Sequence, residues 1–274
     1  MEHTHQQEER LKGKVAVITG GARGIGATTA KLFALNGAQV IIADILDEQG
    51  LGLADAIGGR YIHCDVSRES DVEAAVDLAM TWQGQLDIIF NNAGIGGPAG
   101  SITNLDMSKM RGLLAVNLDG IVHGIKHAAR AMVARGRGGS ILCTTSTAAT
   151  LGGLGSHAYT MSKAAVLGLA RSTALELGQH GIRVNCISPH GVPSEMLATG
   201  YREALGNPEI GIKEVSQIIS ERGNLILGRT ATMDDVAQAA LFLASDDSGF
   251  ITAHNLVVDG GFTSAHCALS SIHQ

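Results

Sequence analysis

Tyr159 and Lys163 lie four residues apart in the segment HAYTMSKAA, where the pattern predicts a helix from about Ala158 to Gly178. Residues four apart share one face of a helix, so the phenol and the ammonium are predicted to lie side by side. A phenol has a pKa of about 10, and a neighbouring positive charge favours its anion. The pair is therefore a candidate acid–base device for moving a proton to or from an alcohol oxygen.

A glycine-rich segment, TGGARGIG, follows the apolar run KVAVITG and opens a predicted helix, Gly24–Leu35. Gly20, Gly24 and Gly26 let backbone amides approach a pyrophosphate closely, and the start of the helix favours negative charge there. A glycine triplet alone is a weak signal, whereas its position between a strand and a helix is typical of dinucleotide binding. We therefore predict a dinucleotide cofactor.

Asp44 ends the second apolar run, AQVIIAD, eighteen positions after Gly26. A carboxylate there can accept hydrogen bonds from the adenosine ribose of NAD, and it would repel the 2′-phosphate of NADP. At about 5 Å and an effective dielectric near 20, that repulsion is on the order of 6 kcal/mol before screening. Arg23 favours NADP instead, because its guanidinium could bind the 2′-phosphate. We give Asp44 more weight because it acts directly at the ribose, and NAD is the predicted cofactor.

Short β-branched runs alternate with longer amphipathic segments along the chain. The predicted strands are KVAVITG, AQVIIAD, YIHCDV, LDIIFNNAG, GSILCTTS, IRVNCIS and NLVVDGG. The predicted helices are Gly24–Leu35, Asp47–Ile57, Ser70–Trp82, Met107–Ala134, Ala158–Gly178 and Asp234–Ala244. Strands that are apolar throughout are buried on both faces, and their alternation with helices implies parallel pairing. We predict an α/β fold with one domain, residues 13–264, built as a doubly wound parallel sheet of about seven strands with helices on both faces. Residues 1–12 and 265–274 are predicted to be flexible ends.

Ser146, NNAG and Asn117 add to the glycine turn and to the Tyr159–Lys163 pair. Ser146 stands thirteen residues before Tyr159, NNAG (Asn91–Gly94) follows the fourth predicted strand, and Asn117 lies in the long helix after it. In this order and spacing, TGxxxGxG, NNAG, Asn, Ser and YxxxK resemble the signature of the short-chain dehydrogenase/reductase family over about residues 12–263. The resemblance implies a Rossmann-type fold and interconversion of an alcohol and a ketone.

The resemblance also implies roles for single residues. Tyr159 would be the general base in alcohol oxidation, and Lys163 would favour its anion and bind the nicotinamide ribose. Ser146 would hold the substrate oxygen, and Asn117 would anchor a water leading protons from Lys163 to solvent. The implied cofactor contacts are Gly20, Arg23, Gly24, Ile25, Gly26, Asp44, Asp65, Val66, Asn92, Ala93, Gly94, Tyr159, Lys163, Pro189 and Val192.

The segment SPHGVP follows the sixth predicted strand, where the family usually has Pro-Gly, and His190 displaces that glycine by one position. Residues 190–229 correspond to the family's variable substrate loop. The predicted substrate contacts are Ser146, Leu154, Tyr159 and Met196, and His157 and His190 could also touch the substrate.

Apolar residues around these positions favour a small hydrophobic alcohol or ketone. SPHGVP, SHAYTMSKAA and NLVVDGGFT most resemble the plant secondary-metabolism members of the family. We therefore predict NAD-dependent oxidation of a cyclic, terpenoid-type secondary alcohol, with borneol to camphor as an example. A lignan or another plant metabolite alcohol is the alternative substrate.

Two other functions fit the sequence less well. An acyl-carrier ketoreductase would prefer NADPH and need a basic surface, which Asp44 and the net charge of −6 disfavour. A dinucleotide-binding sensor without turnover would need neither Tyr159 nor Lys163, and both are present.

Composition narrows the remaining possibilities. The acidic net charge and the lack of a basic patch give no reason to expect nucleic acid. No run has the length of a membrane span and no signal peptide is apparent, so a cytoplasmic location is expected. No metal-ligand spacing is present, and Cys64, Cys143, Cys186 and Cys267 are expected to be small buried hydrophobes. The helices Met107–Ala134 and Ala158–Gly178 carry more apolar residues than one sheet face needs, which together with the resemblance predicts a homotetramer.

Overall fold

Seven parallel strands form one sheet in the part of the chain that the computed structural model describes, residues 9–226 and 228–265. The strands are β1 Val15–Thr19, β2 Gln39–Asp44, β3 Arg60–His63, β4 Ile88–Asn91, β5 Gly139–Thr144, β6 Ile182–Pro189 and β7 Asn255–Val258. Their order is β3-β2-β1-β4-β5-β6-β7, which confirms the predicted doubly wound sheet. The strand order reverses between β1 and β4, and in such sheets ligands bind beyond the carboxyl ends at that point.

Helices cover both faces of the sheet. They are α1 Gly24–Leu35, α2 Asp47–Ile57, α3 Glu69–Gln83, α4 Met107–Leu114, α5 Gly120–Arg135, α6 His157–Leu177, α7 Glu195–Leu205, α8 Ile212–Arg222 and α9 Met233–Ala244. Buried side chains of α3, α5 and α6 pack on one face, and those of α1, α2 and α9 pack on the other. Alternate residues of each strand supply the two layers, which explains why the strands are apolar throughout.

The helix predicted over Met107–Ala134 is divided. Between α4 and α5 the chain makes a π turn, Ala115–Asp119, so that one extra residue is inserted into the helical repeat. Asn117 lies in this turn and is fully buried. The periodicity of the sequence did not reveal this insertion, which accompanies hydrogen bonds of the Asn117 side chain to Ile95.

The predicted substrate loop contains two helices, α7 and α8. Ala198, Ile210, Val215 and Ile219 form a small buried cluster of their own there, apart from the two main layers. Gly191 begins this segment with φ +54°, and a Cβ placed on it would lie 2.9 Å from the side chain of Ile219. This close contact fixes α8 against the residues that follow β6.

The folded region begins before residue 13. Leu11 is fully buried and its amide donates a 2.9 Å hydrogen bond to the carbonyl of Asn36. The rest of the predicted flexible ends, residues 1–8 and 266–274, lies outside the described residues together with Cys267. Cys64, Cys143 and Cys186 are buried free thiols, as predicted.

No helix in the described ranges combines the length and the apolar character that crossing a membrane requires.

Candidate active site

The glycine turn between β1 and α1 is a tight backbone cradle. Gly20 and Gly24 have φ +61° and +58°, a region that favours glycine. A Cβ placed on Gly26 would lie 2.1 Å from the carbonyl oxygen of Gly20, so no larger residue fits there. A Cβ placed on Gly24 would meet no heavy atom within 4 Å, so the turn is open on that side. A closed backbone at the start of a helix with open space beside it fits the pyrophosphate of a dinucleotide.

Arg23 and Ile25, which alternate with the glycines of this turn, also belong to the predicted cofactor contacts and differ in exposure. Arg23 is exposed and precedes α1 without a side-chain hydrogen bond to the helix, whereas Ile25 is half-buried.

Asp44 lies at the carboxyl end of β2 beside this turn, with only 7% of its surface exposed. Its Oδ2 accepts a 2.9 Å hydrogen bond from the amide of Ala22, and its Oδ1 accepts one of 3.1 Å from Leu46. A carboxylate has about four acceptor sites, so both oxygens can still accept from a sugar hydroxyl. The backbone thus holds the charge of Asp44 where the sequence predicted the ribose.

Asn92 of the NNAG motif joins the ends of three strands. Its Nδ2 donates to the carbonyls of Thr19 (3.2 Å) and Gly20 (3.1 Å), while its Oδ1 accepts from the hydroxyl of Thr144 at 3.2 Å. The hydroxyl oxygen of Thr19 accepts the amides of Asn92 and Ala93 at 3.0 and 3.2 Å. The glycine turn after β1 is therefore fixed relative to β4 and β5.

Tyr159 and Lys163 lie on one face of α6, as predicted. The helix begins just before them because the Ser156 side chain accepts the amide of Tyr159 at 3.3 Å, a common N-cap. The Lys163 ammonium is 5.7 Å from the centre of the Tyr159 ring and donates a 2.9 Å hydrogen bond to the carbonyl of Thr144. Only 2% of Lys163 is exposed, so its charge lies inside the protein.

Asn117 lies beside this pair and fixes the chain after NNAG. Its Oδ1 accepts the amide of Ile95 at 2.8 Å and its Nδ2 donates to the carbonyl of the same residue at 3.0 Å. A Cβ placed on Gly94 would lie 3.4 Å from both Asn117 Oδ1 and Lys163 Nζ. The side chain of Asn117 is thus used to hold Gly94 and Ile95, and its role in anchoring a water stays a prediction.

Ser146 lies two residues beyond β5, where its Oγ accepts the amide of Ala148 at 3.1 Å. A hydrogen bond from Ser146 favours the anion of Tyr159, but burial has the larger effect and raises the pKa of Tyr159. Burial also lowers the pKa of Lys163 to about 8. Both shifts arise because a dry site disfavours charge. The predicted effect of Lys163 and a bound cofactor on the Tyr159 anion stays a prediction.

The remaining predicted substrate and nicotinamide contacts differ in how exposed they are. Met196, 45% exposed at the start of α7, lies 3.9 Å from a Cβ placed on Gly96, close to the chain that Asn117 fixes. Leu154 is half-buried in the segment between Ser146 and Tyr159. Pro189 ends β6 and is half-buried, and Val192 is buried just after it.

The predicted adenine contacts follow β3. Asp65 Oδ1 accepts the amide and the hydroxyl of Ser67 at 3.0 and 2.7 Å. Val66 is buried against α5, where a Cβ placed on Gly120 would lie 2.7 Å from its side chain. These contacts fix the loop at the β3 side of the sheet, near the carboxyl end of β2.

Comparison with known proteins identifies this arrangement. A family profile described as "Enoyl-(Acyl carrier protein) reductase" matches residues 20–263. The chain belongs to the short-chain dehydrogenase/reductase family. Members of this family are oxidoreductases whose Rossmann-type fold binds a nicotinamide dinucleotide, NAD or NADP.

Several relatives align with nearly the whole chain. Short-chain dehydrogenase reductase ATA1 of Arabidopsis thaliana is 58% identical over 267 residues, which are 97% of this chain and 98% of that protein. Secoisolariciresinol dehydrogenase of Forsythia intermedia is 49% identical, over 93% of this chain and 90% of its own length. (+)-Borneol dehydrogenase 2 of Salvia officinalis is 45% identical, over 95% and 93%. The crystal structure of levodione reductase matches with a TM-score of 0.86 and 28% identity, over 94% of this chain and all of that one.

Within the short-chain dehydrogenase/reductase fold, the structure adds residues that the sequence analysis missed. Thr19 and Thr144 bind Asn92, the carbonyl of Thr144 binds Lys163, and Ser156 caps α6. Ser156 could have been found, because a serine directly before the first residue of a helix is a typical N-cap. Thr19 and Thr144 gave no such signal, since Asn92 lies more than fifty residues from each of them and Lys163 lies nineteen residues from Thr144.

Among the described residues, no three His, Cys, Asp or Glu side chains cluster in a way that would hold a metal ion.

Proposed function

We propose that this protein is an NAD-dependent dehydrogenase that oxidises a small hydrophobic cyclic secondary alcohol to its ketone. One observation carries the proposal: Tyr159, Lys163 and Ser146 meet beyond the ends of β4 and β5, beside the glycine turn that fits a dinucleotide. A general base, a buried cation and a hydroxyl at the switch point of the sheet are the groups that alcohol oxidation requires.

The proposed reaction moves one proton and one hydride from the alcohol. When bound, oxidised NAD supplies the hydride acceptor and a positive charge near the phenol. Tyr159 takes the proton of the alcohol hydroxyl, and Ser146 holds the alcohol oxygen as the carbonyl forms. Lys163 lies beside the phenol and favours its anion by Coulomb attraction. Burial raises the pKa of Tyr159 in the protein alone, and the positive charge of a bound cofactor would act in the opposite direction.

The proposed choice of NAD rests on Asp44. Its carboxylate is held at the end of β2 by two backbone amides and has acceptor sites left for the ribose hydroxyls. The exposed Arg23 is the one basic residue of the glycine turn that could favour NADP instead.

The proposed substrate rests on the apolar surface near the acid–base pair. Ile95, Leu151 and Met196 are exposed large hydrophobic residues, and Leu154 is half-buried among the same segments. A rigid bicyclic alcohol that buried about 200 Å² would gain about 5 kcal/mol and lose little conformational entropy on binding. The relative named (+)-borneol dehydrogenase 2 supports a monoterpenol, and secoisolariciresinol dehydrogenase supports a lignan alcohol as the second candidate.

A substrate panel tests the proposal. Borneol, a lignan diol, a linear secondary alcohol and a primary alcohol are incubated with the enzyme and NAD⁺, and NADH formation is followed by absorbance. We expect kcat/KM for the bicyclic alcohol to exceed that for the linear one by at least about tenfold. Tyr159→Phe is the control: it keeps the ring but removes the exchangeable proton, so turnover should collapse while NADH binding, followed by fluorescence, survives.

Each other outcome has a definite meaning. Equal kcat/KM for linear and bicyclic alcohols would contradict the proposed substrate shape. Turnover that persists in Tyr159→Phe would place the base elsewhere. Binding of NAD⁺ with no turnover of any alcohol would favour the dinucleotide-binding sensor.

We also propose that the protein works in the cytoplasm as a homotetramer. Its three described cysteines are buried free thiols, as expected in a reducing compartment. Exposed apolar side chains on the helices of the α3/α5/α6 face support assembly, as discussed below.

A further inference from the structure

Two threonines flank Ser146, and both are buried. The hydroxyl of Thr145 donates to the carbonyl of Ile187 at 3.2 Å and is also hydrogen-bonded to Ser188. On the other side, the hydroxyl of Thr147 is hydrogen-bonded to Nδ1 of His190 at 2.9 Å, and this is its one side-chain partner in the described part of the chain. The turn that carries Ser146 is therefore held on both sides of the serine. Thr145 binds residues of β6, and Thr147 binds the residue that follows β6.

His190 is itself held from two directions. Its amide donates a 3.0 Å hydrogen bond to the carbonyl of Val258, which extends the pairing of β6 with β7 by one residue. Its ring stacks on Phe262, with ring centres 4.1 Å apart and an angle of 11° between the planes. A histidine fixed by both its backbone and its ring has little freedom left at Nδ1.

Phe262 is held in place by an ordered turn after β7. Oδ1 of Asp259 accepts the amide of Gly261 at 2.8 Å, and Oδ2 accepts the amide and the hydroxyl of Thr263 at 2.8 and 2.6 Å. Three hydrogen bonds to one carboxylate thus fix the turn that carries the stacking ring. A continuous set of contacts runs from this turn through Phe262, His190 and Thr147 to Ser146.

We propose that His190 is a positioning residue for Ser146, which it holds by way of Thr147 against the turn after β7. This role rests on the proposed function, in which Ser146 holds the alcohol oxygen. It differs from a substrate contact, because Nδ1 is already bound to Thr147 and one face of the ring is covered by Phe262. Burial lowers the pKa of His190, which favours the neutral form of the ring.

Three substitutions separate the hydrogen bond of His190 from its stacking. His190→Phe keeps an aromatic ring on Phe262 and removes Nδ1. His190→Asn keeps a hydrogen-bonding atom near the position of Nδ1 and removes most of the stacking. Thr147→Val removes the hydroxyl from the other partner and keeps the shape of the side chain.

The kinetic measurement uses the full-length enzyme with NAD⁺ and the best alcohol of the panel. We expect His190→Phe and Thr147→Val each to lower kcat about tenfold, with KM for NAD⁺ changed less than about twofold, because a small misplacement of the serine slows the chemical step. The double variant should be no slower than the slower single variant, since both remove the same hydrogen bond. His190→Asn should keep kcat within about threefold of the wild type.

A second measurement needs no turnover. The alkaline titration of Tyr159 is obtained from the ultraviolet absorbance of phenolate, as the difference between each protein and its own Tyr159→Phe version. Ser146 favours the anion of Tyr159, so Ser146→Ala should raise the apparent pKa of this residue. His190→Phe and Thr147→Val should raise it in the same direction, whereas His190→Asn should leave it near the wild-type value.

The outcomes separate this inference from the proposed function. A wild type that oxidises no alcohol refutes the function, and the titration still decides the role of His190. A Tyr159 titration unchanged in His190→Phe overturns the positioning role. It is overturned equally if His190→Asn shifts the titration as far as His190→Phe, since the stacking and not the hydrogen bond would then be responsible.

Discussion

At the scale of single residues, Asp44 illustrates how a side chain is prepared for its ligand. Two backbone amides, from Ala22 and Leu46, bind one oxygen each and orient the carboxylate at the end of β2. The hydroxyl of Tyr61 donates to the carbonyl of Asp44 at 2.8 Å, which holds the backbone of the same residue. The carboxylate is thus held by the protein's own backbone, and the proposed repulsion of a 2′-phosphate would act from this position.

Removal of this charge should narrow the preference for NAD⁺. We expect Asp44→Ser and Asp44→Asn both to lower the ratio of kcat/KM with NAD⁺ to kcat/KM with NADP⁺ by at least about tenfold, because the repulsion at the ribose disappears. Asp44→Asn is the matched control, since it keeps the size of the side chain and can still accept a backbone amide. A wild-type enzyme that prefers NADP⁺ would refute the assignment and give Arg23 the deciding role.

At the scale of secondary-structure elements, α2 contains two glycines that look alike in the sequence, in EQGLGLAD. A Cβ placed on Gly50 would lie 2.2 Å from the ring of Tyr61, whereas one placed on Gly52 would meet nothing within 4 Å. Gly50 therefore makes room for the ring whose hydroxyl holds Asp44, at the expense of helix propensity. Gly52 is exposed and makes no such contact.

Alanine at these two positions should have opposite effects on stability. Gly50→Ala should lower the free energy of unfolding by roughly 1–3 kcal/mol, because the methyl group overlaps the tyrosine ring. Gly52→Ala should raise it by up to about 1 kcal/mol, because alanine is the better helix former. Urea unfolding of the two variants measures both values. A gain in stability from both substitutions would show that Tyr61 moves aside at little cost.

At the scale of the whole molecule, apolar side chains remain exposed on the helix layer that carries the acid–base pair. Leu175 of α6 is 87% exposed, and Met161 on the same helix and Val122 and Val133 on α5 are exposed as well. These residues belong to the two helical segments whose apolar residues, together with the resemblance, predicted a homotetramer. A second copy of the chain would cover them through an isologous contact.

A charge on that surface should break the assembly. We expect the wild type to elute from a sizing column with light-scattering detection at four times the mass of one 28.3 kDa chain. Leu175→Lys should yield smaller species, because an unpaired ammonium would be buried in the contact. Leu35→Lys is the control: Leu35 is 74% exposed on α1, on the opposite face of the sheet, and its change should leave the assembly intact. A wild type that is monomeric at micromolar concentration would refute the tetramer.

The sequence by itself determined the alternation of strands and helices along the chain, the glycine turn, and the placement of Tyr159 and Lys163 on one helix face. These features are local: they depend on the periodicity of a helix or strand, or on residues within one turn of each other. The motifs TGxxxGxG, NNAG and YxxxK each lie within ten residues, and their order along the chain sufficed to indicate the family. Ser156, the cap of α6, is local too and could have been added.

Only the tertiary structure decided the remaining features, because each joins segments far apart in the chain. The π turn at Asn117 accompanies a contact with Ile95, twenty-two residues away, and the hydrogen bond of Thr147 reaches His190 across forty-three. The raised pKa of Tyr159 depends on how much protein surrounds the phenol, which no spacing reveals. Gly50 and Gly52 differ because only Gly50 lies under Tyr61, a residue that the pairing of β3 with β2 brings there. Strand register sets these contacts, and it is fixed only when the whole sheet forms.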